Sequence, residues 1–210
     1  MHKPNNECFL CHPDSDLVYL RNGQFYAMLG LGAILEGYSV LSINSHMRSF
    51  FDMPLDQVEQ FQNFRYQVRR LLGELYGPVI ITEHGRVPAS DFHQANHSLH
   101  CYHAHQLVFP IDIDLVPDLK ESYGDKVVAY SDFIEARKLC DSIGEYLCYE
   151  NIDGACHVAH DVKYKLQFFR LLVAEKIGFP NRADWRKWQG WDLINSAKDK
   201  LRRKTISDVS

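Results

Sequence analysis

The sequence predicts an α+β domain in which an antiparallel sheet carries one long helix. The first indication is the dipeptide Asn22-Gly23 between two short apolar runs, which is typical of a tight β-hairpin turn. The second is the stretch 54–76, where apolar side chains recur every three to four positions as in an amphipathic helix. Gly77-Pro78 then supplies a helix stop signal.

The remaining elements follow from period-two alternation and from turn residues. Strands are predicted at residues 17–20, 24–29, 38–43, 79–82 and 100–109. The polar segment 83–99 is predicted as a loop or short helix, and helices are predicted over 131–143 and 163–177. No linker rich in Pro, Gly or Ser divides the chain, so we expect a domain over 1–115 and a helical or mixed extension over 116–210 packed on the same core.

The bulk composition excludes several functional classes. A formal net charge of -4 gives the chain of 210 residues no general affinity for nucleic acid or for an anionic membrane surface. The longest apolar stretch, 25–35, is too short to cross a bilayer, and the polar N-terminal residues do not form a secretory signal. We therefore expect a cytoplasmic protein without membrane association, in which the six cysteines serve as thiols and metal ligands rather than disulfides.

Cys8 and Cys11 form a C-x-x-C pair, a spacing at which two thiolates can bind one zinc ion. Two further ligands complete a tetrahedron, and His46 and His103 are candidates for them. His12 competes with them, although its adjacency to Cys11 makes chelation awkward. A redox pair and two free cysteines near the N-terminus are the alternatives.

The strand at 100–109 carries the most informative pattern. Side chains two apart share one face of a strand, so His103, His105 and Leu107 point one way and Gln106 the other. If a metal binds one imidazole, the second is presented at a fixed place, and neutral imidazole is a competent nucleophile near neutral pH. The alternatives are that both histidines bind metal, or that both are structural residues at a sheet edge with their hydrogen bonds satisfied.

Taken together, these motifs resemble the histidine-triad (HIT) superfamily, in particular its zinc-containing bacterial HIT-like branch with a degenerate triad. The pattern His-Ala-His-Gln-Leu-Val-Phe-Pro at 103–110 matches the triad strand in its distance from first histidine to proline. The segment 37–46 resembles the family's Gly-His strand and following histidine, and Thr-Glu-His-Gly at 82–85 resembles its Glu-His-Gly element. The stretch 167–186 resembles the C-terminal helix and Asp-Trp-Arg tail of that branch.

The resemblance implies a HIT-like fold and covalent chemistry at one histidine. His105 is then the nucleophile that takes a nucleotidyl group from a nucleotide or another phosphorylated small molecule, forming a phosphoramidate. The implied ligands of a structural zinc ion are Cys8, Cys11, His46 and His103. A homodimer is the usual assembly of the family.

The sequence departs from the family pattern at four positions. The third triad histidine is Leu107, the Gly-His histidine is Tyr38, the ribose-binding acid or amide is Gly30, and a phosphate-binding serine is His100. Each lost donor removes about 2 to 4 kcal/mol of transition-state stabilisation unless another group replaces it. The residues predicted to bind phosphate or substrate are His84, Arg86, His100, Gln106 and Tyr38.

Three functions are compatible with these motifs. The first is a nucleotidyl hydrolase or transferase acting through a nucleotidyl-His105 intermediate. The second is a HIT-fold protein that binds a phosphorylated ligand or a protein partner without turnover, which the changes at Tyr38 and Leu107 favour. The third is a zinc-dependent hydrolase, which is disfavoured because four protein ligands leave no open coordination position.

Overall fold

The computed structural model describes residues 8–87, 103–161, 163–165 and 167–207. Eight strands are present in these residues: β1 Val18–Asn22, β2 Phe25–Leu29, β3 Ser39–Ile43, β4 Ile80–Gly85, β5 His105–Phe109, β6 Val127–Tyr130, β7 Tyr146–Glu150 and β8 Cys156–His160. The α-helices are α1 Leu55–Tyr76, α2 Val116–Tyr123, α3 Phe133–Arg137, α4 Phe168–Lys176 and α5 Trp191–Ser207. The chain is therefore α+β, as predicted.

The strands form one sheet in the order β1-β2-β3-β5-β4-β7-β8-β6. Every strand pair among the described residues is antiparallel. The part of the chain after residue 115 adds β7, β8 and β6 to this sheet through the pairing of β7 with β4. The proposed boundary near residue 115 stays a prediction, but both halves of the chain share one hydrogen-bonded sheet.

Helix α1 packs diagonally across one face of the sheet, which we call the helix face. Phe61 of α1 lies 5.1 Å from Phe25 of β2, measured between ring centroids. Further along the helix, Arg65 donates a hydrogen bond to Gln106 of β5 and forms an ion pair with Glu150 of β7. This one helix therefore covers the sheet from β2 to β7.

The opposite face, which we call the histidine face, is partly covered by the second half of the chain. Tyr164 stacks edge-on against His84 of β4, with 5.6 Å between ring centroids. Arg170 of α4 lies over the ring of Tyr38, 5.2 Å from its centroid. Trp188 donates from its indole nitrogen to the carbonyl of Ala33 at 2.8 Å, which ties the C-terminal region to the loop after β2.

Several element predictions are confirmed, and others are wrong in their extent. The long helix begins within one residue of its predicted start and ends at Tyr76, as predicted. Strand β4 continues to Gly85, so the first three residues of the predicted loop at 83–99 are strand, and most of the rest of that segment lies outside the described residues. The predicted helix at 131–143 is only a short α3 followed by a 3-10 turn. In the described part of the chain no helix is both long and apolar enough to cross a membrane, and the cytoplasmic location stays a prediction.

Candidate functional site

Four side chains converge at one end of the sheet in an arrangement that can hold a metal ion. They are Cys8, Cys11, His46 and His103, whose ligand atoms all lie within 4.8 Å of one another. Cys11 Sγ is 3.3 Å from His46 Nδ1 and 3.4 Å from His103 Nδ1, and Cys8 Sγ is 3.5 Å from His103 Nδ1. The structure thus brings together all four ligands predicted from the sequence.

Local backbone contacts build this cluster from three separate segments. A turn closes the two cysteines, with Cys11 N donating to Cys8 O at 3.0 Å. The hydroxyl of Tyr26 on β2 donates to the Leu10 carbonyl and fixes the turn against the sheet. The segment after β3 and the segment before β5 meet through Ala104 N, which donates to Met47 O at 2.6 Å. The cluster is therefore held by the ends of two neighbouring strands.

The ring of His103 is oriented for metal binding through one particular nitrogen. Its Nε2 lies 2.6 Å from the carbonyl oxygen of Ile43, an atom that only accepts, so Nε2 carries the hydrogen. The other nitrogen, Nδ1, keeps its lone pair and faces both thiols. Burial lowers the pKa of His103 to about 3, while burial raises the pKa of the Cys8 thiol to about 11. Without a metal this pocket therefore holds a neutral imidazole and at least one protonated thiol.

His105, two residues along β5, points to the same face and is half-buried. Its Nδ1 lies 2.8 Å from the carbonyl oxygen of His103, so Nδ1 is the donor and Nε2 keeps a lone pair. Burial lowers the pKa of His105, and the neighbouring His84 lowers it further. The ring is thus neutral near neutral pH, with its basic nitrogen directed away from the strand backbone.

His84 of β4 also lies on the histidine face, on the strand next to that of His105. Its Nε2 lies 2.7 Å from a carboxylate oxygen of Glu145. The side chains of His84 and Glu145 are 16% and 15% exposed. The pairing of Thr82 with Leu107 sets the register of β4 against β5. The same register continued by two residues places His84 opposite His105.

Gln106, predicted as a possible substrate ligand, lies on the helix face and is 1% exposed. It accepts a hydrogen bond from Arg65 at 2.9 Å and donates one to Glu83 at 3.0 Å. Glu83 also accepts from the Tyr146 hydroxyl and from the Phe50 backbone N–H. The amide is therefore fully engaged in a buried network on the side of the sheet opposite His105.

Tyr38 lies on the histidine face but is 2% exposed and packs into the core. Its ring is 5.1 Å from that of Phe109 and covers Gly30, where a Cβ atom would collide with it. The position that the family resemblance assigns to ribose binding is thus filled by an aromatic ring. The structure does not bring Tyr38 to the open side of His105.

Arg86 follows directly on β4, but its guanidinium is already paired. It donates to Asp52 at 2.6 and 3.0 Å and to the carbonyl of Ile143 at 2.5 Å. His100 lies outside the described residues, so its predicted role stays a prediction. Of the predicted substrate-binding residues described here, His84 is the one brought next to His105.

Sequence reasoning missed Glu145. It stands 61 positions from His84 in the chain, just before β7, and no local motif marks it. Its partnership with His84 arises from the pairing of β4 with β7, which the sequence did not predict. An acidic residue preceding an apolar run was the only available signal, and that pattern is common.

No protein-family model matches the chain, and no curated protein matches it. Solved structures with a similar fold include a hypothetical histidine triad nucleotide-binding protein from Sulfolobus tokodaii, with 12% identity and a TM-score of 0.39, covering 56% of this chain and 97% of that one. A Hit-like protein from Bartonella henselae has 11% identity and a TM-score of 0.40, covering 52% and 79%. A yeast Ap4A phosphorylase in complex with AMP has 12% identity and a TM-score of 0.44, covering 77% and 66%. Such values assign neither a family nor an activity, and membership of the histidine-triad superfamily stays a prediction.

Proposed function

We propose that this chain is a nucleotidyl hydrolase or transferase in which His105 attacks phosphorus and carries the nucleotidyl group. The observation that carries the proposal is the hydrogen bond of 2.8 Å between His105 Nδ1 and the His103 carbonyl. This contact fixes the tautomer and leaves the Nε2 lone pair of the half-buried ring without a hydrogen. His105 is not one of the four side chains of the metal-binding cluster, so this lone pair is available for nucleophilic attack.

The reaction divides into two displacements at phosphorus. In the first, a bond forms between His105 Nε2 and phosphorus, the bond to the leaving oxygen breaks, and that oxygen takes up a proton. In the second, water or an acceptor hydroxyl attacks the same phosphorus, loses its proton, and breaks the nitrogen–phosphorus bond. His105 returns to its neutral form after both steps.

We further propose that the four-ligand cluster binds a structural zinc ion. Zinc bonds of about 2.3 Å to sulfur and 2.0 Å to nitrogen in a tetrahedron place sulfur and nitrogen about 3.5 Å apart. The sulfur–nitrogen separations are 3.5 Å for Cys8 and His103, 3.3 Å for Cys11 and His46, and 3.4 Å for Cys11 and His103. Four protein ligands close the coordination shell, so the ion would fix the backbone at His103, and thereby His105, without taking part in chemistry.

Covalent labelling tests the nucleophile. The wild type, His105→Ala and the control His160→Ala are incubated with the p-nitrophenyl ester of thymidine 5′-phosphate, and intact mass is measured without acid, since phosphoramidates are acid-labile. His160 is a matched control because it is a half-buried strand histidine on β8, paired with Asp161. We expect a thymidylyl adduct and nitrophenol release from the wild type and the control, and neither from His105→Ala. Equal labelling of His105→Ala contradicts the proposal.

A second candidate function is ligand binding without turnover. The observation favouring it is Leu107, a half-buried apolar side chain at the third triad position, where no proton donor is available. The filling of the space over Gly30 by Tyr38 points the same way. Calorimetric binding of nucleotides by the wild type, with no adduct and no product after prolonged incubation, is the result that selects this function over the enzyme.

A further inference from the structure

Two imidazoles of the histidine face, His105 and His84, lie on neighbouring strands. His105 belongs to β5 and His84 to β4, and the register Thr82–Leu107 brings them opposite each other. Gln106 follows His105 and Glu83 precedes His84, and the contact of 3.0 Å between these two side chains fits the same register beyond Thr82. A phosphoryl group on His105 is therefore within reach of His84.

Glu145 determines which nitrogen of His84 is available. The carboxylate lies 2.7 Å from Nε2, so that nitrogen carries a hydrogen and Nδ1 is left for a ligand. The contact of Nε2–H with the carboxylate can be kept whether or not Nδ1 carries a hydrogen, and Nδ1 is a donor when it does. The ring of Tyr164, packed edge-on 5.6 Å away, restricts rotation of the imidazole. His84 is thus a positioned group that can both give and take a proton at Nδ1.

Other nearby polar side chains are not available for this task. Arg86 is held by Asp52 and the Ile143 carbonyl, and Gln106 points to the helix face. Leu107, which takes the place of the third triad histidine, has no donor. Within the described part of the chain, His84 Nε2 is hydrogen-bonded to Glu145 and Nδ1 makes no hydrogen bond.

We propose that His84 is the general acid and base of the reaction at His105, and that Glu145 is its positioning residue. This inference rests on the proposed function. When His105 Nε2 attacks phosphorus, Nδ1–H of the His84 imidazolium gives its proton to the leaving oxygen as the phosphorus–oxygen bond breaks. The resulting neutral His84 then takes a proton at Nδ1 from the water or hydroxyl that displaces His105. Glu145 accepts the hydrogen bond from Nε2–H in both steps.

The dependence of rate on the leaving group tests this role. Nitrophenolate is a weak base that departs without a proton, whereas unsubstituted phenolate is a stronger base that needs one. The p-nitrophenyl and phenyl esters of thymidine 5′-phosphate are therefore compared in the wild type, His84→Gln and Glu145→Gln. The glutamine amide at position 84 can still donate to Glu145 but cannot transfer a proton, so the fold contact is kept.

Release of the leaving group is measured in the first turnover, before the second step, which is the same for both esters. We expect His84→Gln to slow the first-turnover release of phenol about 100-fold or more and that of nitrophenol less than about tenfold. Glu145→Gln should show the same selectivity with a loss of about tenfold on the phenyl ester. The two rates are measured on one preparation of each variant, so a reduced folded fraction affects both equally and does not change their ratio. His160→Asn, which removes another histidine paired with a carboxylate, is the matched control and should leave the ratio unchanged.

The outcomes separate the two proposals. A wild-type adduct combined with equal losses on both esters in His84→Gln overturns the role of His84 and leaves His105 as the nucleophile. An unchanged ratio in Glu145→Gln, with a changed ratio in His84→Gln, removes Glu145 alone. Absence of any adduct or product in the wild type overturns the proposed function and this inference with it.

Discussion

Replacement of Arg65 by methionine should cost the fold about 3 kcal/mol. The guanidinium is 3% exposed and donates to Gln106, Gln62 and Glu150. Removing one member of a buried ion pair typically costs about 3 to 5 kcal/mol, because the other charge is left uncompensated. Arg69 remains on Glu150 at 2.5 Å, which places the expected loss at the lower end of that range.

Urea unfolding and thermal unfolding measure this loss. For a chain of 210 residues, about 3 kcal/mol corresponds to a fall in the unfolding midpoint of roughly 6 to 12 °C. The double variant Arg65→Met with Glu150→Met should be less destabilised than the sum of the single variants, since an apolar pair then replaces the ionic one.

The matched control is Arg70→Met on the same helix. Arg70 is 80% exposed and lies 3.9 Å from Glu74, an exposed pair expected to contribute less than about 0.5 kcal/mol. A cost below about 1 kcal/mol for Arg65→Met, or strict additivity in the double variant, would show that the buried network does not connect α1 to the sheet as the contacts imply.

Three further perturbations give distinct readouts. Cys11→Ser, or chelation of the wild type, should remove one zinc ion per chain, as measured by elemental mass spectrometry, and lower the free energy of unfolding by at least about 3 kcal/mol. A variant that keeps its full zinc content and an unchanged unfolding midpoint refutes the zinc site. Thr82→Val should stabilise the chain by about 1 kcal/mol, because the buried Thr82 hydroxyl has no hydrogen-bond partner in the described part of the chain. A loss of stability would contradict this and indicate that the hydroxyl has a partner. Gly32→Ala should lower the free energy of unfolding in urea by about 3 kcal/mol. The φ angle at Gly32 is +74°, and a Cβ atom there would collide with Trp185 and lie 2.8 Å from Arg170. An unchanged stability would mean that the C-terminal region is not packed on this loop.

Elements that are buried on one side and exposed on the other could be predicted from the sequence. Helix α1 buries a single stripe, so its apolar residues keep the helical period. Strand β7, Tyr146–Glu150, was missed because it is buried on both faces and therefore shows no alternation of apolar and polar residues. Strand β8 was missed for a different reason, since His157 and His160 interrupt its apolar run.

The same contrast applies to the candidate site. The C-x-x-C spacing of Cys8 and Cys11 and the two-residue spacing of His103 and His105 are local, and each spacing carries its geometric consequence with it. The interaction of His84 with Glu145 depends on strand pairing across a separation of 61 residues, which a single sequence does not specify. Local spacing thus predicted which four side chains come together in the cluster and which face His105 shares with His103, while the contact of His84 with Glu145 required the fold.

The two faces of β5 have separate roles, and this separation explains why adjacent residues should respond differently to mutation. Gln106 points into the network of Arg65 and Glu83, where loss of its amide leaves buried partners unsatisfied. His105 points the other way, and its ring makes a hydrogen bond to its own strand at the His103 carbonyl. We therefore expect substitution of Gln106 to lower the stability of the sheet and substitution of His105 to leave the sheet packed. A loss of labelling in His105→Ala can then be assigned to the proposed nucleophile rather than to unfolding.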